Sequence, residues 1–597
     1  MQTLEQASLQ SSLLVKQQAF LIDVMSKRQK KTFTILVTVW VCALAFFWHW
    51  WLQTEHILSW LDMAIVSLVI AWQTVVPGYY FYFVSRMKRS NPAIEIPKDW
   101  RVAMVVTKAP SEPWSLVKKT LEAAIAQQYP HDVWLADESP QPDTIQWCKA
   151  RGVNISSREG IAAYHRSTWP RRTRCKEGNL AYFYDTYGYE RYDVVAQLDA
   201  DHVPEANYLE EMIRPFVNPA VGYVAAPSIC DANDKASWVV NARAFAEGSM
   251  HGSLQAGYNN GWAPMCIGSH YAVRTAALKE IGGLGPELAE DHSTTLMMNA
   301  HGWRGVFALD AIAHGDGPAS FPDFLTQEFQ WSRSLAMLLL SVTPRYFKSL
   351  PAHLKFQFGF AQFWYPLYGM LIGLGMLTPL IALLRDQPWV NVSYGGFLLH
   401  SIVLDITCLA VVSWVSAQGW FRPHNAKVVS WEVVLFQLAR WPWVIAGVCS
   451  ALVAWALRKE LSFRVTPKGD SQGRPLPISV LAPYILLAIA SALAVIFLNN
   501  IQFASGYYFL AIVNGGFYVF LCTIIVWAHL RENRSQSKSH PSKKSRAYSK
   551  YAVQKVSVLT LIGLFFVAIS LRGPEAIAGI TVDIRDNLWR SVLTESN

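Results

Sequence analysis

Long apolar runs flank a stretch that has none, and this limits the fold more than any other feature of the chain. Residues 32–52 and roughly 57–84 are each long enough to span a hydrocarbon core. Between 97 and 320 the apolar runs shorten to strand length and alternate with amphipathic helical stretches. Beyond Leu335 the long runs return. The pattern predicts a soluble α/β unit inserted between membrane helices. At 52% hydrophobic and 16% charged, the chain cannot be a single soluble domain. Its net charge of +9 gathers beside apolar segments, at Lys27-Arg28-Gln29-Lys30-Lys31 and in 531–552. That placement reads as positive-inside topology, not nucleic-acid binding. The eight Cys have no paired spacing, so neither a disulfide framework nor a zinc site is expected.

Further spans are expected near 357–383, 395–417, 477–498, 505–530 and 554–571. The segment 429–457 is apolar but interrupted by Glu432, Gln437, Arg440 and Pro442. Either it lies in the interface or packs inside the bundle, or it crosses and inverts everything after it. The basic stretch 531–552 favours the first reading, with seven spans and the α/β unit in the cytoplasm. Residues 1–32 read as a cytoplasmic lead with no cleavable signal. The expected divisions are 1–96 (lead and two spans), 97–350 (catalytic unit with interface helices), 351–458 (two spans and an interfacial segment), 459–476 (a loop) and 477–597 (three spans with a basic cytoplasmic loop).

Inside the soluble unit, strands are predicted at 101–107, 133–136, 193–198, 221–226, 269–273 and 304–309, and helices at 113–127, 177–187 and 205–216. This is the βαβ rhythm of a mostly parallel sheet. Asp199-Ala200-Asp201-His202 follows the apolar run 194–198. The C-terminal edge of such a strand is where open α/β sheets bind ligands, and two Asp one residue apart can hold Mg²⁺ or Mn²⁺ against phosphate oxygens. A solvated loop is the structural alternative. Glu290-Asp291 offers a carboxylate to accept a proton from an acceptor hydroxyl, or simply complements a helix N-terminus. Gln327, Trp331 and Arg333 form a cluster suited to a flat polar ligand, although Trp331 also fits an interfacial belt. Gln362, Trp364, Tyr365, Tyr368, His400, Asp405, Glu432, Arg440, Trp441 and Asn514 place polar and aromatic groups in membrane segments, where they line a path or pair with one another.

In this order the motifs resemble processive family-2 membrane glycosyltransferases of the bacterial cellulose synthase and curdlan synthase-like type. The resemblance implies a GT-A, Rossmann-like catalytic domain within an α-helical transmembrane bundle. It implies nucleotide-sugar contacts at Thr107, Asp137, Lys176, Asp199, Gln327 and Arg333, with metal at Asp201. Cys266, Gly268, Ser269, Glu290 and Trp331 would shape the acceptor site, and Asp291 would be the general base. Phe463-Arg464-Val465-Thr466-Pro467-Lys468 fits the family's Phe-x-Val-Thr-x-Lys gating loop, with Phe463, Val465, Thr466 and Lys468 as the fixed positions. Two departures stand out: Ala289 replaces the Thr before Glu-Asp, and Gln330 replaces the Arg of Gln-x-x-Arg-Trp. Either Arg333 takes over that lost charge, or Lys176 and the metal serve without it.

The implied activity is inverting, processive transfer from UDP-glucose to a growing β-glucan, with Mg²⁺ or Mn²⁺ as cofactor and passage of the polymer across the plasma membrane. The stretches 531–553 and 572–597 leave no room for a PilZ barrel, which tilts the expectation toward curdlan-type or mixed-linkage relatives. Single transfer to a polyprenyl-phosphate carrier and a chitin- or hyaluronan-type synthase are the alternatives. Expected partners are the donor, the polysaccharide, membrane lipid, and accessory envelope subunits or a second copy, with no nucleic acid.

Overall fold

A computed structural model describes residues 19–173, 175–287, 289–459, 476–537 and 551–580. The chain opens with β1 (Leu21–Asp23), helix α1 (Lys27–Trp51), helix α2 (Trp60–Val84) and β2 (Lys88–Ser90), which pairs antiparallel with β1. A capping box starts α1: Ser26 Oγ accepts from Gln29 N–H at 3.3 Å, and Gln29 Oε1 accepts from Ser26 N–H at 2.9 Å.

The soluble unit is built on β3 (Val102–Lys108), β4 (Asp132–Asp137), β5 (Asn154–Ser156), β6 (Val194–Asp199), β8 (Val221–Ala225), β10 (His270–Arg274) and β11 (Arg304–Phe307). These form one sheet in the order β11-β8-β10-β6-β3-β4-β5. Every residue of β3 is buried, which is why its sequence, Val-Ala-Met-Val-Val-Thr-Lys, runs apolar almost without alternation. The chain builds outward from β3 to β4 and β5, then returns to β6 on the other side of β3. That reversal opens a crevice at the C-terminal ends of β3 and β6, where Thr107 stands beside Asp199. The sheet is mixed, because β10 runs antiparallel to both β6 and β8. A second sheet, of β7 (Val203–Pro204), β9 (Ser228–Ile229) and β12 (Ala313–His314), was not visible in the sequence because its strands are only two residues long.

Helices α3 (Trp114–Ile125), α4 (Lys176–Phe183), α5 (Trp238–Glu247) and α6 (Glu290–Ala300) surround the sheet, and α7 (Phe321–Ser341) carries the chain toward the bundle. The bundle continues with α8 (Ala352–Arg385), α9 (Tyr394–Ala417), α10 (Trp431–Ala456), α11 (Ile478–Phe497), α12 (Tyr507–Ser537) and α13 (Ala552–Ala578). Eight helices, α1, α2 and α8–α13, are long and apolar enough to cross a membrane, so the chain is a membrane protein.

Contacts sort the helix ends into two sides. On the far side, Arg385 pairs with Asp62 at 3.1 Å, and the Asp386 carboxylate accepts the N–H groups of Gln502, Phe503 and Ala504. On the near side, Gln357 makes a two-way amide pair with the Ala263 backbone, and Glu532 accepts from Ser237 Oγ at 2.9 Å. Gly257 and Gly252 press on the backbone of Phe83 and of Trp420–Arg422, where a Cβ would overlap main chain. The soluble unit is thus seated directly on the near ends of α2 and the α9–α10 connection.

Segment 429–457 forms one unbroken helix, α10, although Pro442 lies inside it. By length and composition it qualifies as a span. Its packing is of another kind: it lies along α7, pairing Phe436 with Phe324, Arg440 with Glu328, and Gly447 with Phe329 and Ser332 in step. Its first residue, Trp431, stacks on Trp238 of the soluble unit. Leu476, just before α11, accepts from Gln554 on the same side. Trp431 thus sets the start of α10, and Leu476 the start of α11, beside the near-side contacts.

Candidate active site

The crevice between β3 and β6 is lined by strand ends and closed by α4. Thr107 Oγ1 donates to Leu198 O at 3.2 Å, so its side chain ties the two strands together at the cleft. Asp137 ends β4 and is engaged by Lys108 at 3.1 Å, both side chains being almost wholly buried. At α4, Asn179 Nδ2 donates to Lys108 O and Ala136 O, fastening the helix to both strand ends. Gly178 has no room for a Cβ, which would overlap Arg158 Nη1 and Arg172 O. Arg158, itself buried, donates to Tyr164 O and Arg172 O and pairs with Glu138 at 3.5 Å. Glu177 accepts the N–H groups of Arg171 and Arg172. This buried polar frame fixes the first turn of α4, from which Lys176 reaches Asp199 Oδ1 at 2.8 Å and Gly268 O.

Asp199, Asp201 and His202 each bring a ligand atom within 4.8 Å of the others. The two carboxylates suit a divalent cation such as Mg²⁺ or Mn²⁺. The small sheet holds this loop in place. Asp316 N–H donates to Asp201 Oδ2 at 3.2 Å, and Gly315 lies flat on the His202 ring, where a Cβ would overlap it. Burial opposes charge on His202, but the Asp201 carboxylate at 3.2 Å overcomes it and raises the imidazole to about 10.

Because β10 is antiparallel to β6, its leading residues arrive at the trailing end of β6. Asp199 N–H donates to Ser269 O at 2.7 Å, and Cys266 N–H donates to Thr295 Oγ1 on α6 at 3.1 Å. Ser269 Oγ bonds Ser228 Oγ at 2.8 Å. Gly268 faces the acidic pair: a Cβ there would stand 3.3 Å from Asp291 Oδ2 and 3.9 Å from Glu290 Oε1. Both carboxyls head α6, half-buried, and Asp291 Oδ1 accepts from His292 N–H at 2.7 Å. Burial raises the pKa of each, with Asp291 raising Glu290 further, while Lys176 pulls both down. Glu290 Oε1 is buried without a hydrogen-bond partner. The pair as a whole therefore holds protons more tightly than exposed carboxylates do.

On α7, Gln327 and Trp331 share a face, and that face meets a residue sequence reasoning missed. Arg243 on α5 lies 3.8 Å over the Trp331 ring, donates to Gln327 Oε1 and pairs with Glu247 at 3.2 Å. The Arg-x-x-x-Glu spacing on a mostly apolar helix was its one signal in the sequence. Arg333 lies over Phe329, and at 100° per residue it points nearly opposite to Trp331. The cation over the Trp331 ring is Arg243. Gln330 is buried within α7. Phe463, Val465, Thr466 and Lys468 lie outside the described residues.

The bundle residues divide similarly. Gln362 bonds His292 and Thr343, Trp441 donates to Tyr518 and Asn514 to Met376 O, all inside the helix packing. His400 stacks on Trp50 at 3.9 Å, and Asp405 lies exposed on the outside of α9. Neither of these two faces a path through the bundle.

The fold and cleft together define an α/β unit of GT-A-like architecture, with an acidic crevice at its strand ends, set among membrane-length helices. Residues 174–384 match the family described as Glycosyl transferase family 21. The chain is similar to the cellulose synthase catalytic subunit [UDP-forming] of Pseudomonas fluorescens (strain SBW25), 26% identical over 390 residues, 62% of this chain and 48% of that one. It is similar also to the cellulose synthase 1 catalytic subunit [UDP-forming] of Komagataeibacter xylinus, 23% identical over 431 residues, 70% of this chain and 54% of that one. The chain spans about half the length of these curated relatives. Among solved structures it resembles the mannosyltransferase PcManGT from Pyrobaculum calidifontis in complex with GDP-Man and Mn²⁺, with TM-score 0.39 and 15% identity over 65% of this chain and 98% of that one. The resemblance read from the motifs is matched by these comparisons: the chain is similar to cellulose synthase catalytic subunits, at modest identity and over about half of their length.

Proposed function

We propose that the chain is a processive, inverting glycosyltransferase that extends a β-glucan from UDP-glucose and passes it through its own helix bundle across the plasma membrane. The observation that carries this reading is the meeting of Lys176, Asp199 and Asp291 around Gly268, one cation and two carboxylates on a single loop. Asp199 and Asp201 would hold a divalent cation, which when bound supplies charge neutralisation to a leaving diphosphate. Lys176 offers its ammonium to the same anion. Thr107 and Asp137 at the strand ends flank the nucleoside.

Asp291 takes the proton of the acceptor hydroxyl as that oxygen attacks C1. Its raised pKa brings it nearer to neutrality, where a general base works best. One displacement on one face of the sugar inverts the anomeric centre. Glu290, beside it with Oε1 unpartnered, offers the same acceptor a hydrogen bond that orients it. Trp331 presents one ring face to the terminal acceptor sugar while Arg243 occupies the other. The basic runs at Lys27–Lys31 and Lys88-Arg89 adjoin the near side, which supports a cytoplasmic catalytic unit.

The test uses purified full-length protein in nanodiscs with Mg²⁺ or Mn²⁺ and labelled UDP-glucose, UDP-N-acetylglucosamine or UDP-glucuronate. High-molecular-weight product from UDP-glucose is expected, lost on chelation with EDTA and in Asp291→Asn, and β-1,4- and β-1,3-glucanases then give the linkage. A labelled lipid without polymer would replace this reading by single transfer to a polyprenyl-phosphate carrier. Polymer from another donor would make the chain a chitin- or hyaluronan-type synthase.

A further inference from the structure

Helix α9 stands at the rim of the bundle. On one side it packs on α1, through Trp414 with Phe33 at 6.0 Å and Phe397 with Phe47 at 5.9 Å. These two contacts sit toward opposite ends of the 24-residue helix, and Asp405 lies midway between them. At 1.5 Å per residue the carboxyl is about 16–18 Å from either end. It is exposed, and among the described residues it has no hydrogen bond or ion pair. Its neighbours on that surface, Leu398, Ile402, Ile406 and Leu409, are exposed and apolar. Lipid is the expected surrounding of that face, and the Asp side chain is too short to reach water from that depth.

A carboxyl in the middle of a lipid-facing surface is costly and is retained where something pairs with it. Ile402, Asp405, Leu409 and Ser413 are all exposed and follow one another at i, i+3, i+7 and i+11. That is the stripe a neighbouring helix packs along. Exposed Ala410, Ser413 and Ala417 let a second backbone come close beside it. A two-fold contact between copies of the chain would set carboxyl against carboxyl at the same depth and supply no cation to pair with either. A headgroup or a soluble protein cannot reach mid-membrane.

We propose that this face of α9 seats a transmembrane helix of a second protein, one that brings a Lys or Arg to the depth of Asp405. The pair neutralises both charges in hydrocarbon and sets the register of the two helices, with Ile402, Leu409 and Ser413 as the packing surface.

The test places a photo-cross-linking amino acid at Leu409 in the full chain, in its native membranes, with Phe566 on α13 as the control position. The expected result is one cross-linked membrane polypeptide whose attachment maps within a transmembrane segment containing Lys or Arg. Its yield should fall at least tenfold in Asp405→Leu and in Asp405→Asn. Asp405→Lys combined with an Asp at the partner's basic position should restore it. Sugar transfer by the purified Asp405→Asn protein should stay within twofold of wild type, which excludes misfolding as the cause. A product containing two copies of this chain, a product with lipid alone, a partner segment without a cation, a yield unaffected by Asp405→Asn, or a charge swap that restores nothing would each overturn the proposal.

Discussion

Arg243→Gln is the most informative single change, because it removes the cation from Trp331 without touching the metal loop or Asp291. The guanidinium over the ring contributes about 1–2 kcal/mol when shielded from water, and its charged hydrogen bond to Gln327 about 1.5–3. These terms overlap, so a loss of about 3 kcal/mol in transition-state binding is expected. That is about a hundredfold in kcat/KM. Stability falls as well. Burial disfavours charge on Glu247, but Arg243, helped by His251 and Arg440, holds its carboxyl down at about 2. Against an ordinary Glu near 4.3 this gap of about two units corresponds to at most about 3 kcal/mol. A depressed carboxyl stabilises above its unfolded pKa and loses that contribution as pH falls toward 2, so the contribution is complete at pH 7. Arg243→Gln should therefore melt earlier at neutral pH. Arg243→Gln/Glu247→Gln, which leaves no unpaired charge, should recover the melting temperature but not the turnover. UDP release and thermal melts of the same preparations measure both. Turnover within threefold of wild type in the single variant, or recovery of turnover in the double, would refute a role for Arg243 at the acceptor platform.

Asp291→Asn should lower kcat/KM by about 10²–10⁴ with UDP binding unchanged, and equal activity would remove Asp291 as the base. In the wild type, burial raises the Asp291 pKa and the base must be ionised, so the acid limb of the pH–rate profile should have its midpoint above the ordinary Asp value of about 3.9. A midpoint at or below that value would contradict the site geometry. Gly178→Ala forces a methyl into Arg158 and the Arg172 carbonyl, costing about 1–3 kcal/mol of overpacking and displacing Lys176. UDP affinity by calorimetry should drop accordingly, and unchanged binding would show that the loop is soft. Glu328→Gln leaves Arg440 buried without its partner at 2.8 Å, so a destabilisation of about 3–5 kcal/mol is expected. Glu328→Leu/Arg440→Met should largely restore the melting temperature, and a melt as low as the single variant's would show that the pair does more than neutralise itself.

Legible from the amino acids alone were the segments apolar enough to cross a membrane, the place of the α/β unit, and the residues that end its strands. Burial makes strands such as Val102–Lys108 nearly all apolar, and spans must be apolar over their whole length, so both patterns are local and legible. Asp199, Asp201 and Glu290-Asp291 stood out because acidic groups after apolar runs are conspicuous in one dimension. Tertiary structure alone decided how these pieces meet. The antiparallel placement of β10 brings Gly268 to Asp199 and Asp291, and strand order is a matter of long-range pairing. Only packing shows that Arg243 covers Trp331, because their helices are far apart in the chain. Only packing lays α10 along α7 through Arg440 and Glu328, although its length and apolarity are those of a span. It also turns Asp405 outward and Gln362 inward, a choice of helix face set by neighbouring helices that no local signal encodes.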